Sequence, residues 1–206
     1  MRCFGANRTS FILHVRQGRS LFWVMLAGAF VLLLGACSSD PKLTYDLSPG
    51  ASGLTARGGR GQLAIALPDA TLPANSDGIV VRTGSQSVAY LTGAQWADKL
   101  PSLVQSRLIE SFQNAHLLRS VGRPGILADA TLQTTLRRFE LDAAQSEAAV
   151  EISAQLIGSS GRIIAGRLFA ASVPAPSSEP SMVAAALEAA LRQVMREIVV
   201  WAAPKI

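Results

Sequence analysis

Cysteine is almost missing from this chain. Cys3 and Cys37 are the two among 206 residues, so neither a disulfide framework nor a cysteine-rich metal cluster can be assembled. Histidine is as scarce, with His14 near the start and His116 in the body of the chain. A Ser-His-acid site needs a histidine base, and His116 sits beside Leu117 and Leu118 at the end of an apolar-periodic run. The expected role there is at a helix end, where a histidine favours the negative terminus. Zinc-ligand spacings are lacking. Gly58, Gly59 and Gly61 cluster, but no strand precedes them and no Lys-Ser/Thr follows, which excludes a phosphate loop. Ser85 follows Gly84, yet Gln86 and Ser87 do not complete a nucleophile elbow. No catalytic residue, metal or cofactor is expected, and hence no enzyme.

An excess of one charge is lacking too, once the first segment is set aside. The chain has 19 Lys+Arg and 14 Asp+Glu. Arg2, Arg8, Arg16 and Arg19 all precede Cys37, and no acid occurs before Asp40. From Cys37 onward the balance is therefore 15 minus 14, or +1. Nucleic-acid binders need a basic stripe, and only pairs such as Arg137–Arg138 are present, so nucleic acid is not an expected partner. The carboxylates Asp129, Glu140, Asp142, Glu147 and Glu151 are expected to lie on a solvated strand face near a turn.

What is present begins with an apolar run of fourteen residues, Leu21 to Leu34, behind the four arginines. A spanning helix needs about 20 apolar residues, whereas a signal peptide's hydrophobic region is shorter. Leu34, Gly35, Ala36 and Cys37 follow at once. The string resembles the lipobox of bacterial lipoproteins. It implies that residues 1–36 are a cleaved signal peptide and that Cys37 is acylated and anchors the chain to a membrane. Ser38 after the cysteine implies, by the same resemblance, export to the outer membrane.

Residues 37–61 are rich in Ser, Gly and Pro and read as a flexible tether. Tyr45, Asp46 and Leu47 form an island in it that should dock on the domain or on a partner. Residues 62–206 hold one domain. Leu63, Ile65 and Leu67 alternate as a strand stopped by Pro68. Ile79–Val81 and Ser87–Leu91 flank a Gly84-Ser85 turn and predict a hairpin. Thr92 and Gly93 are read as opening a helix, with Trp96, Leu100, Leu103, Val104, Leu108, Phe112 and Ala115 on one face. Pro101 is awkward in it: it fits the first turn, or it kinks the helix.

Ala130–Asp142 reads as a long strand. Its apolar phase shifts between Leu136 and Phe139, as a β-bulge would make it do. Val150–Leu156 alternate, Gly158–Gly161 turn, and Arg162–Val173 form a further strand. Ser181 is the expected cap of a final helix whose face is Val183, Leu187, Ala190, Leu191, Val194, Ile198 and Trp201. The order β-β-β-α, one short optional strand, then β-β-β-α predicts an α+β two-layer sandwich. Its sheet should be mostly antiparallel or mixed, with both helices on one face. Trp96 and Phe139 are expected in the core.

At this point the chain resembles a known family, the auxiliary lipoproteins of ABC-type transporters associated with MCE proteins, including the lipoprotein of the paraquat-inducible Pqi system. Five features carry the likeness: the lipobox with the Tyr45-Asp46-Leu47 island; the strand ending Leu67-Pro68; the hairpin leading into Trp96-Ala97-Asp98-Lys99-Leu100; the Leu136-Arg137-Arg138-Phe139-Glu140 element; and the final amphipathic helix. Arg82 and Thr83 depart from the fuller apolar-aromatic hairpin of many relatives.

The resemblance implies a non-enzymatic accessory part of a lipid-trafficking system. It would be lipid-anchored at the periplasmic face of the envelope. Its partner would be a periplasmic MCE protein and, through it, an ABC permease and ATPase. A homo-oligomer is left open. The expected contact residues are Val80, Arg82, Ser87 and Tyr90 on the hairpin, with Tyr45 and Leu47 on the island. Two other readings compete: an assembly or activator lipoprotein for an outer-membrane protein or cell-wall synthase, and a carrier that holds lipid in an apolar cavity.

Overall fold

The computed structural model describes residues 41–50, 53–54, 56–125 and 127–206. The expected signal peptide, residues 1–36, and the expected acylation site Cys37 lie outside the described residues. The folded unit runs from Lys42 to Ile206. In chain order it comprises β1 (Leu43–Tyr45), β2 (Gln62–Ile65), β3 (Gly78–Arg82), β4 (Val88–Trp96), α1 (Leu100–Ala115), β5 (Ser120–Gly122), β6 (Ala130–Asp142), β7 (Glu147–Gly158), β8 (Ile163–Pro174) and α2 (Pro180–Ala202).

β6 is the spine of one mixed sheet. Its length lets two strands share one of its sides. β2 pairs in parallel with its start (Leu63↔Ala130, Ile65↔Leu132), and β3 pairs in parallel with its end (Val80↔Glu140, Arg82↔Asp142). The other side of β6 is taken up by antiparallel β7, which carries antiparallel β8. β5 lies beyond β2, and β4 then β1 lie beyond β3. This is the expected α+β arrangement, with the sheet curled into a half-barrel.

The core fills the concavity. Phase explains who enters it. On β7, Val150, Ile152, Ala154 and Leu156 are buried while Gln155 is exposed. On β6, Leu132 and Leu136 are buried, the register shifts between Leu136 and Arg138, and Phe139 and Leu141 then take the inward phase. The bulge that the apolar pattern predicts is therefore present. Trp96 and Phe139 meet edge to face, with centroids 5.8 Å apart, and both are buried. α2 buries Val183, Leu187, Leu191, Val194 and Ile198, and Trp201 stacks edge-on against Phe169 of β8.

Three local readings need correction. The helix does not open at Thr92: β4 continues to Trp96, and α1 starts at Leu100 with Pro101 in its first turn. The four-residue step from Trp96 to Leu100 mimics helical spacing. Trp96 is in fact held as strand by its pairing with Tyr45 and by donating its backbone N–H to Asp77 O at 2.7 Å. Ser181 does not cap α2. Glu179 does, accepting the Met182 N–H, and a carboxylate there also answers the positive helix end.

The third correction concerns the tether. Residues 43–50 belong to the fold. β1 pairs in parallel with β4, Leu47 is 2% exposed, and the Gly50 N–H donates to Ser111 Oγ of α1 at 2.8 Å. Composition misled here because glycine serves close approach as well as flexibility. A Cβ on Gly50 would stand 2.8 Å from Arg192 O and from Met195 Cβ.

Candidate functional site

Sequence reasoning nominated Tyr45, Leu47, Val80, Arg82, Ser87 and Tyr90. The structure brings Val80, Arg82 and Tyr90 together on the convex face of the sheet, at the corner formed by the β3–β4 hairpin and the end of β6. Partners in a ladder share a face, and the registers Val80↔Tyr90 and Val80↔Glu140 align them. The residues are not equally available. Val80 is 3% exposed and Leu47 is core, so neither can present a contact surface. Tyr45 is half-buried against the core, its carbonyl accepting the Ala97 N–H. Ser87 is exposed at the turn.

Tyr90 is 49% exposed, yet its ring lies over Gly78, where a Cβ would fall 2.3 Å from Tyr90 Cδ1. Its hydroxyl donates to Pro73 O at 3.3 Å and lies 3.3 Å from Ser76 Oγ. One face of the tyrosine thus packs on its own domain, and the other faces outward.

Arg82 is committed internally. Its Nε and Nη2 donate to Glu140 Oε1 and Oε2 at 2.7 and 2.9 Å, a two-pronged ion pair. Arg138 Nε reaches the same carboxylate at 2.9 Å, and its Nη2 reaches Asp142 at 3.3 Å. Glu140 is 4% exposed. The expectation of a solvated carboxylate face fails at this residue, because two arginines cover it. Burial pushes the Glu140 carboxyl up, and the hydrogen bonds from Arg82 and Arg138 more than reverse that, leaving it below its ordinary value. Sequence carried a signal for this cluster: arginine and glutamate two residues apart on a strand share a face, as Arg138 and Glu140 do.

A second surface was not foreseen. Among the described residues β8 pairs only with β7, which leaves its twelve-residue outer edge open. It exposes Ile163, Ile164 and Leu168 and carries Arg167, which pairs with Glu197 and lies over the Phe169 ring. Long open edges ordinarily carry charges that deter pairing, and β8 has one.

Among the described residues, no group of three His, Cys, Asp or Glu side chains gathers as a metal site. Two shallow hollows are open to solvent. One is lined by Ser76, Asp77, Gln95, Asp98 and Lys99 among others, and the second by Arg60, His116 and Arg119 with their neighbours. Neither is an apolar enclosure fit for an acyl chain.

The sequence profile of the ABC-type transport auxiliary lipoprotein component family matches residues 45–199. The chain belongs to this family. As a transport auxiliary lipoprotein it is similar to an uncharacterized protein of Bradyrhizobium diazoefficiens, 32% identical over 174 residues. That match takes in 82% of this chain and 47% of the relative, so the chain spans about half the length of the curated relative it matches. A crystal structure of a Xanthomonas campestris protein of the DUF330 family superposes with a TM-score of 0.74 at 30% identity, over 79% of this chain and 95% of that one. Another crystal structure, of an uncharacterized protein, shares the fold at a TM-score of 0.61 and 16% identity, covering 78% and 97% of the two chains. The family is one of auxiliary transport components rather than of enzymes.

Proposed function

We propose that this auxiliary lipoprotein works by docking, as the periplasmic, lipid-anchored accessory of an MCE-type ABC lipid-transport system at the outer membrane. The transporter's permease and ATPase are other chains. The observation that carries the docking reading is the open β8 edge. The free edge of a twelve-residue strand offers a row of backbone donors and acceptors, and Ile164 and Leu168 supply side-chain selectivity beside it. A partner strand can add there by β-augmentation. The family supports the transport role, and the hairpin corner, with Arg82 sequestered by Glu140, is a weaker docking surface than sequence suggested.

The test is capture from solubilised envelopes of a strain that expresses the MCE proteins. The full-length lipoprotein should retain the periplasmic MCE protein, and Leu168→Asp with Ile164→Asp should abolish retention while the variant stays folded. If the unaltered lipoprotein captures no MCE component, the transport reading fails. An outer-membrane assembly or cell-wall synthase activator then becomes the better account.

A further inference from the structure

The strand registers show from which end of the sheet the chain enters this domain. Val88 of β4 pairs with Arg82, Arg82 with Asp142, Asp142 with Glu147, and Glu147 with Pro174. These five residues form a row across one end of the sheet. Beyond that row lie the β3–β4 turn, the β6–β7 turn and the loop into α2. β1 runs parallel to β4, with Leu43 opposite Ala94. Followed backwards, β1 therefore points toward the same end, on the side of the β3–β4 hairpin.

The reach is short. Cys37 and Leu43 are six residues apart, which is about 20 Å at full extension. Ala94 and Val88 are also six residues apart along β4. A tether that kept the line of β1 at full extension would bring Cys37 level with Val88, while the hairpin turn projects beyond Val88. The polar layer on each side of the bilayer core is only about 5–8 Å deep. With the acyl chains of Cys37 in the hydrocarbon and the tether kept on the line of β1, the turn reaches that layer.

The hairpin's chemistry suits this. From Thr83 to Ala97 there is no Lys, Arg, Asp or Glu, and the charge of Arg82 is matched by Glu140. Val88 is 41% exposed, Tyr90 is 49% exposed, and among the described residues no strand pairs with the outer edge of β4 from Val88 to Gly93. An exposed edge without charges is a hazard in water, and tyrosine is favoured where water meets lipid. Of the acids at this end, Asp142 lies beside Arg82 and is paired with Arg138, while Glu147 and Glu179 lie on the β7–β8 side, away from the hairpin, where they would resist approach to anionic headgroups.

We infer that the β3–β4 hairpin, with Ser85 at its turn and Val88 and Tyr90 behind it, rests in the headgroup layer of the anchoring membrane and orients the domain upon it. The inference rests on the acylation of Cys37. The opposite end, with the Gly158–Gly161 turn and Ile206, points away from the membrane. The docking edge β8 then stands on the far side of the sheet from the lipid contact.

The test uses the full-length, natively acylated protein in vesicles of phosphatidylethanolamine and phosphatidylglycerol. After processing, Cys37 is blocked by acylation, so Ser85→Cys and Ser160→Cys each give one site for a nitroxide label. At position 85 the label should be several-fold more accessible to lipid-soluble oxygen than to an aqueous nickel quencher, and at position 160 the order should reverse. Inserting about ten residues of Gly and Ser after Ser39 lengthens the tether. It should cut the lipid contact at position 85 several-fold while the protein stays on the vesicles. Equal aqueous access at both positions on vesicle-bound protein overturns the orientation, as does lipid contact unchanged by the longer tether. Protein that washes off the vesicles overturns the acylation on which the inference rests, whatever the labels report.

Discussion

Arg82 and Glu140 are 58 residues apart in sequence and meet in a two-pronged ion pair, 2.7 and 2.9 Å long, that ties the hairpin to the spine strand β6. The pair is asymmetric: the Arg82 side chain is 31% exposed, and that of Glu140 is 6%. Removing the arginine strands a buried carboxylate, whereas removing the carboxylate frees arginines that can turn to water. Arg82→Met should therefore cost about 1–3 kcal/mol, the range for leaving a buried acceptor underserved, with Arg138 holding it at the lower end. Urea melts of Arg82→Met and Glu140→Gln check the asymmetry, and a costlier Glu140→Gln would count against it.

The same carboxyl predicts an acid limb of stability. Its folded value lies below the 4.5 of an ordinary glutamate. The unfolded chain therefore binds the proton first as pH falls. The stabilisation is fully present above the unfolded value and is lost as pH drops through the folded one. Wild type should lose stability below about pH 4.5 more steeply than Glu140→Gln. Parallel acid-dependent melts of the two proteins would reveal the difference.

Trp96 and Phe139 should act as one unit. Each alanine substitution should cost about 3–5 kcal/mol. Because the rings meet edge to face, the double variant should fall short of additivity by about 0.5–1.5 kcal/mol. A denaturant double-mutant cycle measures this. Full stability with lost partner capture would move both residues out of the core.

The segment around Leu47 and Gly50 should prove structural. Gly50→Val would press on Arg192 O and Met195 Cβ and should cost about 1–3 kcal/mol, and Leu47→Ala about 2–5 kcal/mol. Asp46 adds little, since it is 57% exposed in its contact with Arg107. Limited proteolysis should cut both variants between residues 47 and 60 sooner than the wild type. Equal protection would show that the docked segment is incidental.

Cys37→Ala should release the protein from membranes or leave it as an unprocessed precursor. Metabolic labelling with a radioactive fatty acid is the direct measurement. Absence of label on the wild type would refute the anchor.

The sequence alone determined the features that depend on nearest neighbours along the chain. Alternation set β6 and β7, a slip in phase located the bulge between Leu136 and Phe139, and the three- and four-residue spacing after Val183 set α2. Each is a local rule that burial on one face imposes on a short window. The family resemblance was legible for the same reason, since it rests on short strings in order.

Tertiary structure alone decided what depends on contacts between distant residues. Whether Trp96 closed a strand or opened a helix turned on its pairing with Tyr45, 51 residues away, because one side chain fits both periodicities. Leu47 and Gly50 became core only when α1 and α2 stood against them. Arg82 changed from a candidate contact to an internal tie because the buried Glu140 of β6 came to lie within hydrogen-bond reach. The open edge of β8 exists only as an outcome of strand order, and pairing order is a property of the closed sheet that no window of sequence contains.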